Sequence, residues 1–206
     1  TVTNREAKYE VEITAKSLNT TYNGTEQSVS GFVNETADGT PVTANERTYY
    51  VTGLTSEARG TDVADSVREI PYTGTAVVKD AAGNDVSAQF NVTVKRGSLT
   101  INKKDVTLKS ADLSKPYDGT ALKNGDEPLA VDSGWVEGEG ATYNFTGSQT
   151  LVGASANAFA IVPNEGTDLD NYNVTKTEGM LTVTNREAKY EVEITAKSLN
   201  TTYNGT

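Results

Sequence analysis

Residues 1 to 25 of the chain return without one change as residues 182–206, a period of 181 residues. A fold assembled from such copies has to be modular, because each period must close its own core and the same short segment must serve at both of its ends. Folding alone does not keep exposed Thr, Asn and Lys identical between copies, since a fold tolerates extensive substitution outside its core. Recent tandem duplication accounts for the identity. The first expectation is therefore a repetitive, extended protein of which this chain spans slightly more than one period.

A second, older repeat lies inside the first. Phe90-Asn91-Val92-Thr93 with Gly97-Ser98-Leu99-Thr100-Ile101 matches Tyr172-Asn173-Val174-Thr175 with Gly179-Met180-Leu181-Thr182-Val183, and Tyr22-Asn23-Gly24-Thr25 matches Tyr117-Asp118-Gly119-Thr120. Each time a Tyr-(Asn/Asp)-Gly turn stands early and the aromatic-Asn-Val-Thr segment stands late. Two related modules are expected, at 8–102 and 103–186, with residues 1–7 ending a preceding module and 187–206 beginning a following one.

Strand signals fill both modules. Tyr9-Glu10-Val11-Glu12-Ile13 alternates apolar and polar residues, the period-two mark of a strand with one buried face, and Val106-Thr107-Leu108 repeats the pattern. Val92, Val94, Leu99 and Ile101 also alternate. Pairing Val92 with Ile101 and Val94 with Leu99 predicts a hairpin closed by Lys95-Arg96-Gly97-Ser98, with Gly97 supplying positive φ and all four apolar residues on one face beside Val11 and Ile13. Turn signals at Ala37-Asp38-Gly39, Tyr72-Thr73-Gly74 and Ala82-Gly83-Asn84 separate short strands at the spacing of a sandwich or barrel. The expected fold class is all-β, tandem small antiparallel β-sandwich modules of immunoglobulin-like character placed end to end. A β-grasp-like module is the alternative, and Ala-rich stretches at 58–67 and 153–160 are where it would place helical turns.

Composition narrows the functional classes. The chain has no Cys and no His, which removes disulfide staples, the thiol nucleophile, the commonest general base and the usual zinc ligands. A net charge of -10 argues against nucleic acid and against anionic lipid as partners. No apolar run approaches the roughly 18 residues of a membrane-spanning helix.

The Tyr-Asn-Gly and Tyr-Asp-Gly motifs, with their closing aromatic-Asn-x-Val and Gly-x-Leu-Thr segments, resemble the MBG and YDG families of bacterial surface-protein repeats. The resemblance covers both modules and rests on Tyr22, Asn23, Gly24, Phe90, Asn91, Gly97 and Leu99 in the first, and on Tyr117, Asp118, Gly119, Tyr172, Asn173, Gly179 and Leu181 in the second. Phe90 stands where the pattern has Tyr. Such repeats occur in large adhesins, some of them mucus-binding, so the resemblance implies an extracellular location on the bacterial cell surface, wall-anchored through other regions, and supplies no catalytic residue.

Tyr22, Asn23, Gly24, Gly97, Tyr117, Asp118, Gly119 and Gly179 read as structural turn residues, the Tyr burying its ring while its hydroxyl finds a partner. Trp135 lies in Ser133-Gly134-Trp135-Val136-Glu137-Gly138-Glu139-Gly140, where it is either a core residue or a flat platform for a sugar. Trp135, Tyr143 and Tyr49 are the candidate binding residues. The carboxylates Glu137 and Glu139, Asp168 and Asp170, and Asp80 and Asp85 read as solvated turn formers, with a bound Ca2+ ion as the alternative to no cofactor at all. Lys16 or Lys109 with Asn91 or Asn173 could form an isopeptide bond if buried beside an acid. The expected function is a non-enzymatic adhesin repeat that forms an elongated stalk and binds host mucus glycans or proteins through weak multivalent contacts. A passive spacer without a ligand is the alternative. A surface hydrolase is the third reading and would need carboxylates converging in a deep pocket.

Overall fold

In the computed structural model, which describes residues 7–205, every regular element longer than a single 3-10 turn is a β-strand. The first strands are β1 (Tyr9–Thr14), β2 (Leu18–Thr21), β3 (Gln27–Ser30), β4 (Thr40–Ala44), β5 (Arg47–Gly60), β6 (Tyr72–Lys79), β7 (Phe90–Lys95) and β8 (Leu99–Asn102). They are followed by β9 (Lys104–Lys109), β10 (Leu113–Pro116), β11 (Val131–Ser133), β12 (Ala141–Phe145), β13 (Gly153–Ala156), β14 (Phe159–Pro163), β15 (Tyr172–Thr177) and β16 (Met180–Thr184). These elements form two compact units. The first takes in the described chain up to Leu108 with Val131–Tyr143 and Ile161–Lys176; the second takes in Lys109–Ala130, Asn144–Ala160 and the chain from Thr177 onward.

In the first unit the opening strands pair with strands far along the sequence. β1 lies parallel to β7, in register from Tyr9 opposite Phe90 to Thr14 opposite Lys95, and β2 lies parallel to β8, from Leu18 opposite Leu99 to Thr21 opposite Asn102. β5 joins antiparallel partners along its length, β4 and β6 on its early part and β3 on its late part. Its register slips between Thr52 and Leu54, where Gly53 has φ +79° and a Cβ would stand 2.4 Å from the Thr75 carbonyl oxygen. Such a bulge bends a long strand so that one strand can serve two sets of partners. Val11, Ile13, Phe32, Val42, Val51, Val78 and Phe90 form the buried cluster, with Val92 and Val94 packed against it.

The tight hairpin expected between 92–94 and 99–101 does not form. β7 and β8 belong to different sheets, each beside one of the two opening strands. Residues 95–98 instead follow the bend between β1 and β2: the Ala15 N–H donates to the Lys95 carbonyl at 2.9 Å, and the Leu18 N–H to the Ser98 carbonyl at 2.8 Å. Gly97 consequently has a reason other than positive φ. A Cβ at this position would stand 2.0 Å from the Lys16 carbonyl oxygen, so only glycine permits the approach of the two backbones. Leu99 and Ile101 are buried, at 0% and 2% exposed, but not in the cluster of Val11 and Ile13.

The second unit repeats this local arrangement. β10 lies parallel to β16, Leu113 opposite Leu181, and β13 pairs antiparallel with β16 on its other edge. The Ser110 N–H donates to Thr177, and the Tyr117 N–H to Thr184, as Ala15 and Tyr22 do to Lys95 and Asn102 in the first unit. Gly179 repeats Gly97, since a Cβ there would meet the carbonyl oxygens of Ala111 at 2.4 Å and Ser110 at 2.5 Å. One position differs in kind. Where the Ile70 N–H reaches Gly97 with an apolar side chain 1% exposed, Asn157 reaches Gly179, and its amide donates to Ala111 and Asn124.

The all-β class thus holds, with more parallel pairing than expected. Of the two Ala-rich stretches, 58–67 carries one short helical turn, the 3-10 turn Val63–Asp65 beyond the end of β5 at Gly60, whereas 153–160 is taken up by β13 and the start of β14 and carries none. Among the described residues, the long helix that a β-grasp arrangement packs across its sheet is absent.

The repeated segment supplies an internal control. Tyr190-Glu191-Val192-Glu193-Ile194 has the β1 sequence letter for letter, yet it forms no strand. Val192 and Ile194 are 78% and 89% exposed, against 7% and 2% for Val11 and Ile13. β1 owes its ladder to β7, and the counterpart of β7 for residue 190 would fall past Thr206. A strand without its ladder or its apolar cover has nothing to offset its backbone entropy. The main-chain amides of β1 should accordingly exchange slowly in hydrogen-exchange mass spectrometry while those of 190–195 exchange at unprotected rates, in one and the same sample. Gly97→Ala should lower stability by roughly 1–3 kcal/mol, the usual cost of forcing atoms into a packed contact, read as a reduced denaturant midpoint.

Candidate functional site

The densest assembly of functional-looking side chains lies in the first unit, where the Tyr22 turn meets residues 131–143 and 161–176. Tyr22 follows β2 directly, and its N–H donates to the Asn102 carbonyl at 2.9 Å. Asn23 then closes an Asx turn, its Oδ1 accepting from the Thr25 N–H at 3.0 Å and hydroxyl at 2.8 Å, while Gly24 takes φ +76°. The turn directs the Tyr22 ring inward, where it is 5% exposed. Its edge meets the Tyr172 ring with centroids 5.5 Å apart, and Tyr172 in turn meets Trp135 at 4.9 Å. Such edge contacts place the positive rim of one ring against the negative face of another.

One carboxylate gathers the polar ends of these rings. Glu139 accepts the Tyr22 hydroxyl on Oε1 at 2.5 Å and the Tyr172 hydroxyl on Oε2 at 2.7 Å. The Tyr172 oxygen also accepts the Val136 N–H at 3.2 Å, and the Trp135 Nε1–H donates to Asp132 at 2.8 Å. Beside them the Asn171 amide donates to Asp62 at 2.7 Å and its oxygen accepts the Val63 N–H at 2.9 Å. The fit is close, since a Cβ at Gly24 would stand 2.8 Å from Val136 Cγ1.

Burial, and then the Glu139 charge, push both phenols up: Tyr172 to about 12, and Tyr22 further still. Tyr143 is likewise pushed up to about 12, by burial first and then by Asp132. With two hydroxyls donated to it, Glu139 acts here as an acceptor that holds phenols protonated. The arrangement fastens segments together.

The candidate binding residues fall in different places. Trp135 is half-buried in this cluster, with its indole N–H committed to Asp132. Tyr143 is half-buried beside Asp132. Tyr49 packs edge-on to Phe90 at 4.8 Å and lines an open cleft of about 610 Å3 with Arg47, Thr48, Asp80, Ala82 and Val86. Among the turn carboxylates, Asp80 accepts from the Ala82 and Asn84 N–H groups and the Asn84 amide, and Asp168 from the Asp170 N–H. Among the described residues no cluster of three or more acidic groups has the geometry of a metal site. The Lys–Asn pairs considered for crosslinking are not brought together: Lys16 is exposed, Lys109 pairs with Asp112, and Asn91 and Asn173 donate to Glu10 and Asp105.

Sequence reasoning read Tyr22 as a turn tyrosine and Glu139 as a solvated carboxylate. It missed their contact because they stand 117 residues apart, a separation at which no local spacing rule operates. The chain matches no protein-family model, no curated protein and no solved structure.

Glu139→Ala should leave two buried hydroxyls without their acceptor and cost about 1–3 kcal/mol, measured by denaturant unfolding. The tyrosines give a pH signature of defined sign. A phenol whose folded pKa lies above its ordinary value of 10 adds stability that is fully present below pH 10 and is lost as pH rises toward 12. Spectrophotometric titration should therefore show a late-ionising fraction of tyrosines that moves toward ordinary values in Glu139→Ala.

Proposed function

We propose that this chain is a repeat unit of a non-enzymatic bacterial surface adhesin, and that its principal task is to extend a stalk outward from the cell. What carries this reading is the Glu139 cluster. It fastens the Tyr-Asn-Gly turn of the first sequence module to the second through one charge-assisted hydrogen bond, Tyr22 to Glu139, and one ring contact, Tyr22 with Tyr172, while a second bond and a second ring contact hold Tyr172 to Glu139 and Trp135 within the second module. Side chains spent in this way serve rigidity. The linkage between β8 and β9 is the single residue Lys103, which leaves little freedom for independent tumbling. Exact repetition of 25 residues fits a protein whose length is set by copy number.

Weak, multivalent contact with mucus glycans or proteins is a second reading, favoured by the Tyr49 cleft, in which an aromatic ring stands beside Arg47 and Asp80. Solution scattering on chains of one, two and three periods separates a stalk from a flexible tether. Maximum dimension should grow in proportion to copy number; growth as its square root would defeat the stalk. Binding of the same chains to a mucin and glycan array, with and without Tyr49→Ala, tests the second reading. Its loss in the variant would support contact through the cleft.

A further inference from the structure

In an Asn-Gly dipeptide the amide side chain can close on its own backbone, because glycine leaves the following nitrogen unshielded. The chain carries this dipeptide at Asn23, Asn124 and Asn204, in three different surroundings. Asn124 is 2% exposed, its Oδ1 accepting the Asn157 amide and its Nδ2 donating to the Glu127 carbonyl. Asn204 lies in the second copy of the repeated segment, which forms no strand and leaves Tyr203 90% exposed. Asn23 is exposed but held in a built turn. Its Oδ1 accepts the Thr25 N–H at 3.0 Å, the Thr25 hydroxyl at 2.8 Å and the Gln27 amide at 3.0 Å. Neither the Asn23 Nδ2 nor the Gly24 N–H has a hydrogen-bond partner among the described residues.

We infer that Asn23 is a self-modifying site, at which the Gly24 nitrogen closes on the Asn23 side chain, and that its conversion to aspartate or isoaspartate releases Tyr22 from Glu139. The Gly24 nitrogen gives its proton to water and bonds to Asn23 Cγ, while the carbonyl electron pair moves onto Oδ1. The pair then returns as the Cγ–Nδ2 bond breaks, and Nδ2 takes up a proton and leaves as ammonia. Water opens the resulting cyclic imide. Addition at Cγ leaves aspartate; addition at the main-chain carbonyl leaves isoaspartate, in which the backbone runs through the side chain. The three donors on Oδ1 stand where negative charge develops during the first step, and such donors lower the barrier to addition at a carbonyl. The attacking and leaving nitrogens have no bond to the protein to give up.

The second module shows what a carboxylate at this position needs. Asp118 takes the place of Asn23 and accepts from the Thr120 N–H and hydroxyl as Asn23 does from Thr25, but it also accepts the Lys115 Nζ at 2.9 Å. Lys115 stands two residues before Tyr117, and the residue two before Tyr22 is Thr20. A carboxylate formed at 23 therefore meets no such cation. It adjoins Gly24, where a Cβ would stand 3.6 Å from Glu139 Oε1 and 2.8 Å from Val136 Cγ1. A second negative charge there disfavours the ionised Glu139 that holds the phenol, and the extra backbone carbon of isoaspartate has no room against Val136. Tyr22 is thereby released, while Tyr172 keeps its own bond to Glu139. The exact repeat returns this dipeptide with every period, so an array would loosen joint by joint with age. The stalk reading supplies only that consequence; the chemistry does not depend on it.

The test incubates the full chain at mildly alkaline pH, with a short pulse of tetranitromethane at intervals to nitrate accessible tyrosines. Trypsin releases Tyr22 and residue 23 together in peptide 17–47, apart from 198–206 and 124–176, so amide loss and nitration are read in the same molecules. Asn23 should convert to the acid while Asn124 stays an amide. In converted molecules Tyr22 should nitrate about tenfold faster than in molecules that retain Asn23, with Tyr172 slow in both. Conversion no faster at Asn23 than at Asn124, equal nitration of Tyr22 in the two populations, or Tyr172 rising together with Tyr22 would each overturn the proposal. Thr25→Ala combined with Gln27→Ala should slow conversion at Asn23 by about fivefold or more and leave Asn204 unchanged; an equal or faster rate at Asn23 would likewise overturn it. Asn23→Asp should release Tyr22 without incubation. Asn23→Gln, whose longer side chain cannot close the same ring, should keep Tyr22 slow throughout, and a rise there would count against the proposal. Failure of these outcomes leaves the scattering result, and with it the stalk reading, untouched.

Discussion

The parallel pairing of opening strands with closing strands is the constraint from which the rest of the structure follows. Glu10 and Asn91, side by side in β1 and β7, are 81 residues apart in sequence, and nothing between them can close the ladder early. A parallel pair needs a long crossover, so the intervening strands β3 to β6 have to form their own antiparallel sheet. The bend between β1 and β2 is then copied by the bend between β7 and β8, and the two backbones approach until only glycine fits at 97. The same requirement recurs at Gly179, against Ser110 and Ala111, in a module with different loops and a different sequence between its ends.

This closure also orders the functional chemistry. Once β2 is fixed beside β8, the next residue after β2, Tyr22, is held by Asn102, and the Asx turn at Asn23 leaves its ring one direction to take. Glu139 can then bind two phenols because the turn and the start of β15 are each set by a strand ladder. The polarity of the cluster sets its sign. Two protonated phenols on a carboxylate form strong hydrogen bonds, whereas a phenolate beside Glu139 would be repelled in a buried site. The contrast between Ile70 and Asn157 shows that one backbone frame accepts both an apolar plug and a hydrogen-bonded amide, provided that the donors are satisfied.

Much of the local structure was legible in the sequence. The alternation in Val11 and Ile13 identified a strand with one buried face, and the Tyr-(Asn/Asp)-Gly-Thr motifs were read as turns, for which Asx geometry and positive-φ glycine give the physical basis. The reading failed where it had to choose a partner. Val92, Val94, Leu99 and Ile101 have a pattern that an antiparallel hairpin and two separate parallel pairs satisfy equally well, since period two fixes a face and says nothing about the neighbour. Gly97 was misread for the same reason, because a glycine needed for close approach looks identical in sequence to one needed for φ. Glu139 gave no signal, since its two hydrogen-bond partners stand 117 and 33 residues away along the chain.

By itself, the sequence determined that this chain is repetitive, all-β and free of thiol and imidazole chemistry, because composition, periodicity and self-identity are local or global counts that need no coordinates. The tertiary structure alone decided which strands pair and which residues meet. The clearest demonstration is the segment present twice: as Tyr9 to Ile13 it is a buried strand beside β7, and as Tyr190 to Ile194 it is exposed and has no strand structure. Identical residues carry identical propensities, so the difference lies wholly in the partner. Every ladder hydrogen bond of a strand needs a partner outside it, and its apolar cover comes from outside as well.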